Sequence, residues 1–480
     1  MNNVPMSNEQ CSTNDRGVER LAGWVSILIV GVVLLIIYAA TLAPTITWAH
    51  YGADGGDLVT AVAWGSIPHP PGFPTYLLLG ELFVRLPWGD PAWRLNLMSA
   101  VMATGAAGLT AAAVRLHLSS SNTSLLASLT SLLCLGLAPL FWSQAVIAEV
   151  YALAALFAAL VTYLALREGP TWTLGLAWGI GMGVHPTLLL LAPLVTWGGW
   201  KKSGFPASRA IKTWFLAFLG WGAMYGPVLL ARGDVPSPWG NVSTLEEWWA
   251  LISGRMYHGY LFGLPPAAWP RRLSAWVGLL ARQFTPLGTT LAALGWTRLW
   301  WRRQPLALTT AFIFGALSLY AIGYDTADSL VYLVLALPVA ALWLGEGLSQ
   351  AAHWLNRRVR WGAWAILLLP LLQALLFWRQ VDLSADRTAM EWAERTLREA
   401  PPQAVILTDQ DSYTFTLWYV QDVLGKRPDV TVIDVDLWAQ EPYRRMIEEE
   451  LGTEAIEGNP SPEDAARRTE RPIVRITNDL

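Results

Sequence analysis

The sequence predicts a mainly α-helical, polytopic membrane protein that ends in a small α/β segment, and three observations predict it. Hydrophobic residues make up 54% of the 480 positions and charged residues only 14%, too few charges for the surface of an ordinary water-soluble chain. Apolar stretches near the ~20 residues that cross a ~30 Å hydrocarbon core recur between positions 21 and 379. From 381 to 480 the pattern turns polar, and short β-rich runs alternate with amphipathic helical ones.

In chain order, residues 1–20 read as a cytoplasmic tail. They are too long for a signal-peptide n-region, and the run 21–43 lacks a small-residue cleavage site, so it is expected to stay as a helix. Further apolar runs cover 93–116, 124–141, 147–166, 172–184, 186–198, 211–230, 273–299, 306–324, 330–348 and 361–378. That makes eleven transmembrane or re-entrant helices. The stretch 172–198 divides because Pro186 disfavours helix at the residue before it, so the chain turns around at Gly183-Val184-His185-Pro186. With that turn, Arg115, Arg167, Lys201, Lys202, Arg298, Arg302, Arg357 and Arg358 share one side, as the positive-inside rule requires. We therefore expect a membrane domain over 21–380, with a first outer loop at 44–92, and a soluble domain over 381–480. The odd number of spans places the latter outside the cytoplasm. Its pattern is helix 387–399, strand 404–408, helix 413–424, strand 430–435, helix 442–451 and strand 472–476, a small α/β layer with a parallel sheet. Asp409-Gln410-Asp411 after the first strand reads as a cap for the next helix rather than a metal-binding pair, because no Gly-rich phosphate loop accompanies it.

The densest chemistry follows the first span, in Ala53-Asp54-Gly55-Gly56-Asp57 and Ile67-Pro68-His69-Pro70-Pro71-Gly72-Phe73-Pro74. Glycines that free the backbone and prolines that fix φ predict an open loop presenting two carboxylates and an imidazole. The same side collects Glu149, His185, Asp234, Glu246, Glu247, His258, Asp325 and Asp328. Such groups near membrane depth are costly and line cavities or pathways. A net charge of −3 without a basic, aromatic-interleaved stretch excludes nucleic acid as a partner. Cys11 and Cys134 are isolated, which argues against a disulfide framework or a zinc site. The 28 Trp residues suit interfacial belts.

The first-loop pattern, followed by Arg94-Leu95-Asn96-Leu97-Met98-Ser99, resembles the GT-C glycosyltransferases, in particular the bacterial relatives of the animal transmembrane protein O-mannosyltransferases. Ala148-Glu149-Val150-Tyr151, the Gly183–Pro186 turn, Pro238-Trp239-Gly240-Asn241, Gly254-Arg255-Met256-Tyr257 and Tyr324-Asp325 extend the likeness over most of the chain. Family members carry Asp-Ser-Gly-Glu where this chain has Asp54-Gly55-Gly56-Asp57, so Asp54 aligns as it stands and Asp57 replaces a longer carboxylate. The resemblance implies a GT-C-like fold in the cell membrane and transfer of mannose or another hexose from a polyprenyl-phosphate carrier to a hydroxyl of a protein or glycan acceptor outside the cytoplasm. The resemblance also implies an inverting displacement without a cofactor; Asp54 and Asp57, three residues apart, could hold a metal, but relatives that use monophosphate-linked sugars generally do without one. On this reading Asp54 is the general base, and His69, His185 and Arg255 are candidates to meet the charge of the leaving phosphate. Asp57, Glu149 and Tyr151 are placed beside sugar or acceptor, Trp239 and Tyr257 as stacking rings, and Tyr324 and Asp325 at the lipid-phosphate end. A lipid-linked sugar transporter or flippase is the alternative from another class, although no inverted repeat is found. A polysaccharide ligase would share the donor chemistry.

Overall fold

The computed structural model describes residues 8–118, 121–196, 207–233, 235–240 and 242–476. Lys201, Lys202, Asp234 and Asn241, singled out above, lie outside these. The first helix, α1 (Asn8–Thr41), exposes Leu21, Val25, Leu28, Ile29, Val32 and Ile36 along its outer face. Water would penalise such a stripe, whereas lipid accommodates it. After α2 (Gly55–Trp64) and α3 (Pro74–Val84), the chain enters α4 (Pro91–His117). Asp90 caps α4 by accepting from the Trp93 N–H (2.7 Å), Pro91 suits the first turn, and Arg115 and His117 sit in the last.

The helices α5 (Asn122–Gly136) and α6 (Pro139–Ala145) meet at 68°, so the expected span 124–141 is bent. α4 packs on α7 (Tyr151–Arg167) through buried alanines such as Ala103 and Ala107 on one helix and Ala155 and Ala159 on the other. Small side chains let membrane helices approach closely where no hydrophobic effect drives them together. α8 (Thr171–Met182) is followed by a 3-10 segment (Pro186–Leu191), α9 (Ala192–Thr196) and α10 (Ala207–Ala223). Trp178 Nε1 donates to the Leu188 carbonyl at 2.8 Å, a contact ten residues apart that only a reversal of the chain at Gly183–His185 permits. Against α10, a Cβ on Gly179 would lie 2.1 Å from the Ala217 carbonyl oxygen, which is why a glycine stands there.

The expected span 273–299 is two helices. A short α11 (Leu245–Ile252), closed by a Thr244–Glu247 capping box, precedes α12 (Trp269–Gln283) and α13 (Thr285–Arg302). Pro286 disfavours helical backbone at Thr285, which takes φ +59°, and the helix breaks there. Arg282 therefore stands at the end of α12 and donates to Gln380 Oε1 (2.5 Å) rather than lying inside a span. α14 (Gln304–Gly323) leads to a 3-10 turn (Ser329–Leu335) bent by 50° into α15 (Leu337–Arg358), and Gly362–Leu367 leads into α16 (Leu368–Val381). Among the described residues four helical stretches are long and apolar enough to cross a membrane, or six if each bent pair counts as one span. Pro74–Val84, Tyr151–Arg167 and Pro186–Thr196 are apolar but shorter.

The tail builds α17 (Thr388–Glu399), β1 (Val405–Thr408), α18 (Asp411–Trp418), β2 (Thr431–Asp434), α19 (Glu441–Leu451) and β3 (Ile473–Arg475). The strands form one parallel sheet in the order β2-β1-β3, with Val405 opposite both Thr431 and Ile473. β1 and β2 are buried throughout, as parallel strands covered on both faces are. The tail rests on the segment that follows α1: Leu383 N–H donates to the Thr41 carbonyl (3.0 Å), and Thr47 hydrogen-bonds Asp386.

Candidate functional site

The segment between α1 and α2 is held from α4. Asn96 Nδ2 donates to the carbonyls of Ala43 (2.8 Å) and Thr45 (3.1 Å), and Arg94 donates to those of Trp88 and Gly89 (3.0 Å each). The Arg94–Ser99 motif thus anchors loop backbone. His50 and Tyr51 sit at φ +60° and +66°, a conformation L residues adopt at some cost and retain where surroundings enforce it. The acids themselves are not on an open loop. Gly55 has helical dihedrals and α2 begins there, with Asp57 in its first turn. The glycines allow close approach rather than free turning: a Cβ on Gly56 would lie 2.3 Å from the Phe415 carbonyl oxygen, and one on Gly55 3.3 Å from that of Ala148.

The two carboxylates have separate environments. Asp57 Oδ2 accepts from the backbone N–H (2.9 Å) and Nδ1 (2.7 Å) of His69, while its Oδ1 accepts from Trp239 Nε1 (3.0 Å). Three donors occupy it. The Nδ1 bond aims the other ring nitrogen of His69 at Asp54, with Nε2 3.6 Å from Oδ2. Asp54 keeps 35% of its side chain exposed and accepts no side-chain hydrogen bond among the described residues. Burial alone would lower the His69 pKa, but the charges of Asp54 and Asp57 and the hydrogen bond to Asp57 outweigh it and take the value to about 9. Burial raises Asp54 above the usual carboxylate range; His69 opposes that rise, and Asp328 and Asp57 add to it.

From His69 a file of rings leads away. Phe73 lies 4.9 Å from His69 and 6.3 Å from His185, whose ring meets Tyr151 (5.9 Å) and Tyr332 (5.4 Å). Tyr332 contacts Tyr324 (5.6 Å), Tyr324 contacts Tyr260 (5.9 Å), and Tyr260 stacks on Tyr257 (6.2 Å). Tyr257 in turn lies within electrostatic reach of Asp54, which closes the file around the cleft. Glu149 is buried beside Asp54, with Oε1 unpartnered and Oε2 accepting from the Val150 N–H (3.2 Å). His185 Nδ1 is 2.6 Å from Thr187 Oγ1. Two sequence candidates stand apart. Arg255 is exposed and pairs with Glu246 at 3.3 Å, and Asp325 binds through its backbone N–H to the Tyr260 carbonyl (2.9 Å). The carboxylate near Asp54 from that stretch is Asp328.

The fourth wall comes from the tail. Trp48 Nε1 donates to the Ser412 carbonyl (3.0 Å) and to Thr416 Oγ1 (2.9 Å), its ring packs edge-on against Tyr413 (5.4 Å), and Trp239 meets Phe415 (6.0 Å). α18 is thereby clamped across the start of α2. Asp411 does not cap it: the helix begins after Gln410 without a side-chain cap bond, and Asp411 occupies the first turn within electrostatic reach of Asp54 and His69. Burial first, then the charges of Asp54 and Asp434, push Asp411 up to about 7, partly opposed by His69. The sequence reads Asp411 as a helix cap and Asp328 as a group at the lipid-phosphate end or a cap rather than a neighbour of Asp54, and Phe73 and Tyr332 carry no signal apart from their neighbours. Among the described residues no group of three or more His, Cys, Asp or Glu side chains is arranged to hold a metal ion.

Two family descriptions match this arrangement. "Protein O-mannosyl-transferase TMEM260 N-terminal domain" covers residues 54–203, starting at the free carboxylate, and "TMEM260-associated domain 2" covers 389–474, the tail that walls the cleft. By structure, the chain is similar to ArnT from Cupriavidus metallidurans bound to undecaprenyl phosphate (TM-score 0.52, 14% identity, 86% of this chain and 90% of that one). Its overall fold resembles that of ArnT, and over residues 54–203 and 389–474 it is similar to the TMEM260 protein O-mannosyl-transferases. Its similarity also extends to an Archaeoglobus fulgidus oligosaccharyltransferase (TM-score 0.51, 13% identity, 84% of this chain and 62% of that one). Among curated relatives, this chain is 34% identical to the mouse protein O-mannosyl-transferase TMEM260 over 131 residues, 27% of its own length and 18% of the mouse protein's. To the Dictyostelium discoideum tmem260 protein it is 21% identical over 490 aligned positions, 85% of its own length and 57% of that protein's. The chain thus spans well under two thirds of either relative.

Proposed function

We propose that the protein is a membrane glycosyltransferase that moves a hexose, mannose in the first instance, from a polyprenyl-phosphate carrier to a Ser or Thr hydroxyl on the extracytoplasmic side. The observation that carries this reading is the division of labour between the two first-loop acids. Asp57 is filled by three donors and holds His69, while Asp54 faces the cleft with its carboxylate free. A hydroxyl is a poor nucleophile until a carboxylate in hydrogen-bond reach accepts its proton. Asp54 takes that proton as the acceptor oxygen attacks the sugar C1, and the C1–O bond to phosphate breaks with its electron pair going to the phosphate. His69, whose pKa is lifted to about 9, opposes the desolvation that raises Asp54 and so favours its ionised, proton-accepting form. Asp54, Glu149, Asp328 and Asp411 make this end of the cleft rich in carboxyl groups, which suit hydroxyl-bearing ligands. The lipid phosphate is assigned to the side of the cleft where Tyr257, Tyr324 and Tyr332 offer hydroxyl donors. There Arg272, tethered to Ser329 Oγ (2.9 Å) and the Thr326 carbonyl (2.8 Å), supplies positive charge. The likeness to a polyprenyl-phosphate-bound ArnT supports the choice of donor.

The test uses purified protein in detergent, radiolabelled polyprenyl-phosphate mannose and a Ser/Thr-rich peptide mixture, following label into peptide. Wild type should transfer, and Asp54→Asn, which keeps size but removes basicity, should be ~10²–10⁴-fold slower. Transfer by the variant at the wild-type rate would remove Asp54 as the base. Donor binding without transfer by wild type would move the acceptor to glycan or lipid.

A further inference from the structure

The cleft is not the only place where unsatisfied chemistry collects. α14 runs 20 residues, ~30 Å at 1.5 Å per residue, from Arg303 to the Tyr324 end of the cleft. At its Arg303 end, α13 and α15 border an open groove of about 550 Å³ that adjoins a cavity of about 280 Å³, and Arg298, Arg302, Gln350 and Trp354 line both. The helices touch where Gly295 meets the Trp343 carbonyl and Gly347 the Leu291 carbonyl, contacts at which a Cβ would come within 1.8 and 2.0 Å. Gly347 leaves the groove a floor without a side chain, between walls of Leu291 and Leu294.

The polar groups here lack acceptors. Arg298 and Arg302 share a single carboxylate, Glu346, at 3.5 and 3.7 Å, and neither contact is a hydrogen bond. Arg357 has no acidic partner among the described residues, and Gln350 Nε2 is buried without an acceptor. Three guanidiniums and an amide donor against one carboxylate call for an anion rich in acceptor oxygens, which is the phosphate geometry that Arg matches. The surroundings say which phosphate. Trp301 is 84% and Trp354 58% exposed beside the groove, indoles near the Arg-bearing ends of α13 and α15, as Trp sits at a bilayer interface. A free phosphate would make no use of the leucine walls and glycine floor, whereas an acyl chain would fill them.

We propose that this cavity binds the phosphodiester headgroup of an anionic phospholipid, held by Arg298, Arg302 and Arg357, with an acyl chain in the groove over Gly347. The site is separate from the cleft and does not depend on the reaction assigned to it. Full-length protein in neutral detergent is mixed in turn with phosphatidylglycerol, phosphatidylcholine and glycerol 3-phosphate, and retained ligand is read by native mass spectrometry. Wild type should retain phosphatidylglycerol about tenfold better than phosphatidylcholine, and glycerol 3-phosphate should not displace it. Arg298→Gln with Arg302→Gln should abolish the preference, while Arg298→Lys with Arg302→Lys, equally monodisperse, should keep most of it. Equal retention of the two lipids, an undiminished preference in the glutamine variant, or loss in both variants alike would overturn the proposal. Displacement by glycerol 3-phosphate would also overturn it, in favour of a simple phosphate site.

Discussion

At the scale of single residues, the cleft depends on His69 being held from one side and facing Asp54 on the other. The Asp57 charge helps lift His69 to about 9, so the imidazolium is present below that pH and lost as pH rises through it. We therefore expect the alkaline limb of kcat/KM for transfer near pH 9. Asp57→Asn should move it down toward the ordinary histidine value of ~6.5, and an unmoved limb would show that another group titrates there. The acid limb should lie above the usual carboxylate range, because Asp54 must lose its proton against desolvation. Asp54 and His69 were legible in the sequence because a Gly-flanked acid and a Pro-flanked histidine stand out locally. Asp411 was visible as a residue but not as a member of the site, because its neighbours Asp54 and His69 lie far away in the chain and only the docking of α18 brings them together. Arg94 and Asn96 were read as part of a motif without a role, and their partners turned out to be backbone carbonyls that no side-chain pattern reports.

At the scale of elements, the contact of α2 with α18 governs the shape of the cleft. Gly56→Ala pushes a methyl into the Phe415 carbonyl and should cost about 1–3 kcal/mol, as overpacking does. Thermal unfolding should register that loss, and transfer should fall more than for the control Gly315→Ala on α14, where an added Cβ meets nothing. Wild-type stability and activity in Gly56→Ala would mean the two helices can separate harmlessly. The tail's strands and main helices were legible to within a few residues, since alternating β-rich and amphipathic runs leave few alternatives. The two halves of 273–299 were not. Apolar composition continues across Phe284, and the break comes from the backbone restriction that Pro286 places on Thr285. The first acid loop was misread for a related reason: Gly-Gly suggested a turn, while the tertiary approach of Phe415 was what required it.

At the scale of the whole molecule, basic helix ends gather on one side, and the acids and the tail gather on the other. With Cys11→Ser as background and Cys134 buried, Ser384→Cys should react with an impermeant maleimide in intact cells, and Trp301→Cys only after permeabilisation. The opposite pattern would invert the orientation on which the proposed extracytoplasmic chemistry rests. The Trp48 contact with Ser412 joins residues 364 positions apart, and this sets an order on the protein's biosynthesis. The free carboxylate leaves the ribosome early, yet the wall that completes its cleft is made only after every membrane helix. A nascent chain can therefore hold Asp54 at the membrane surface without an enclosed site, and the cleft closes only after the segment around Ser412 has been made.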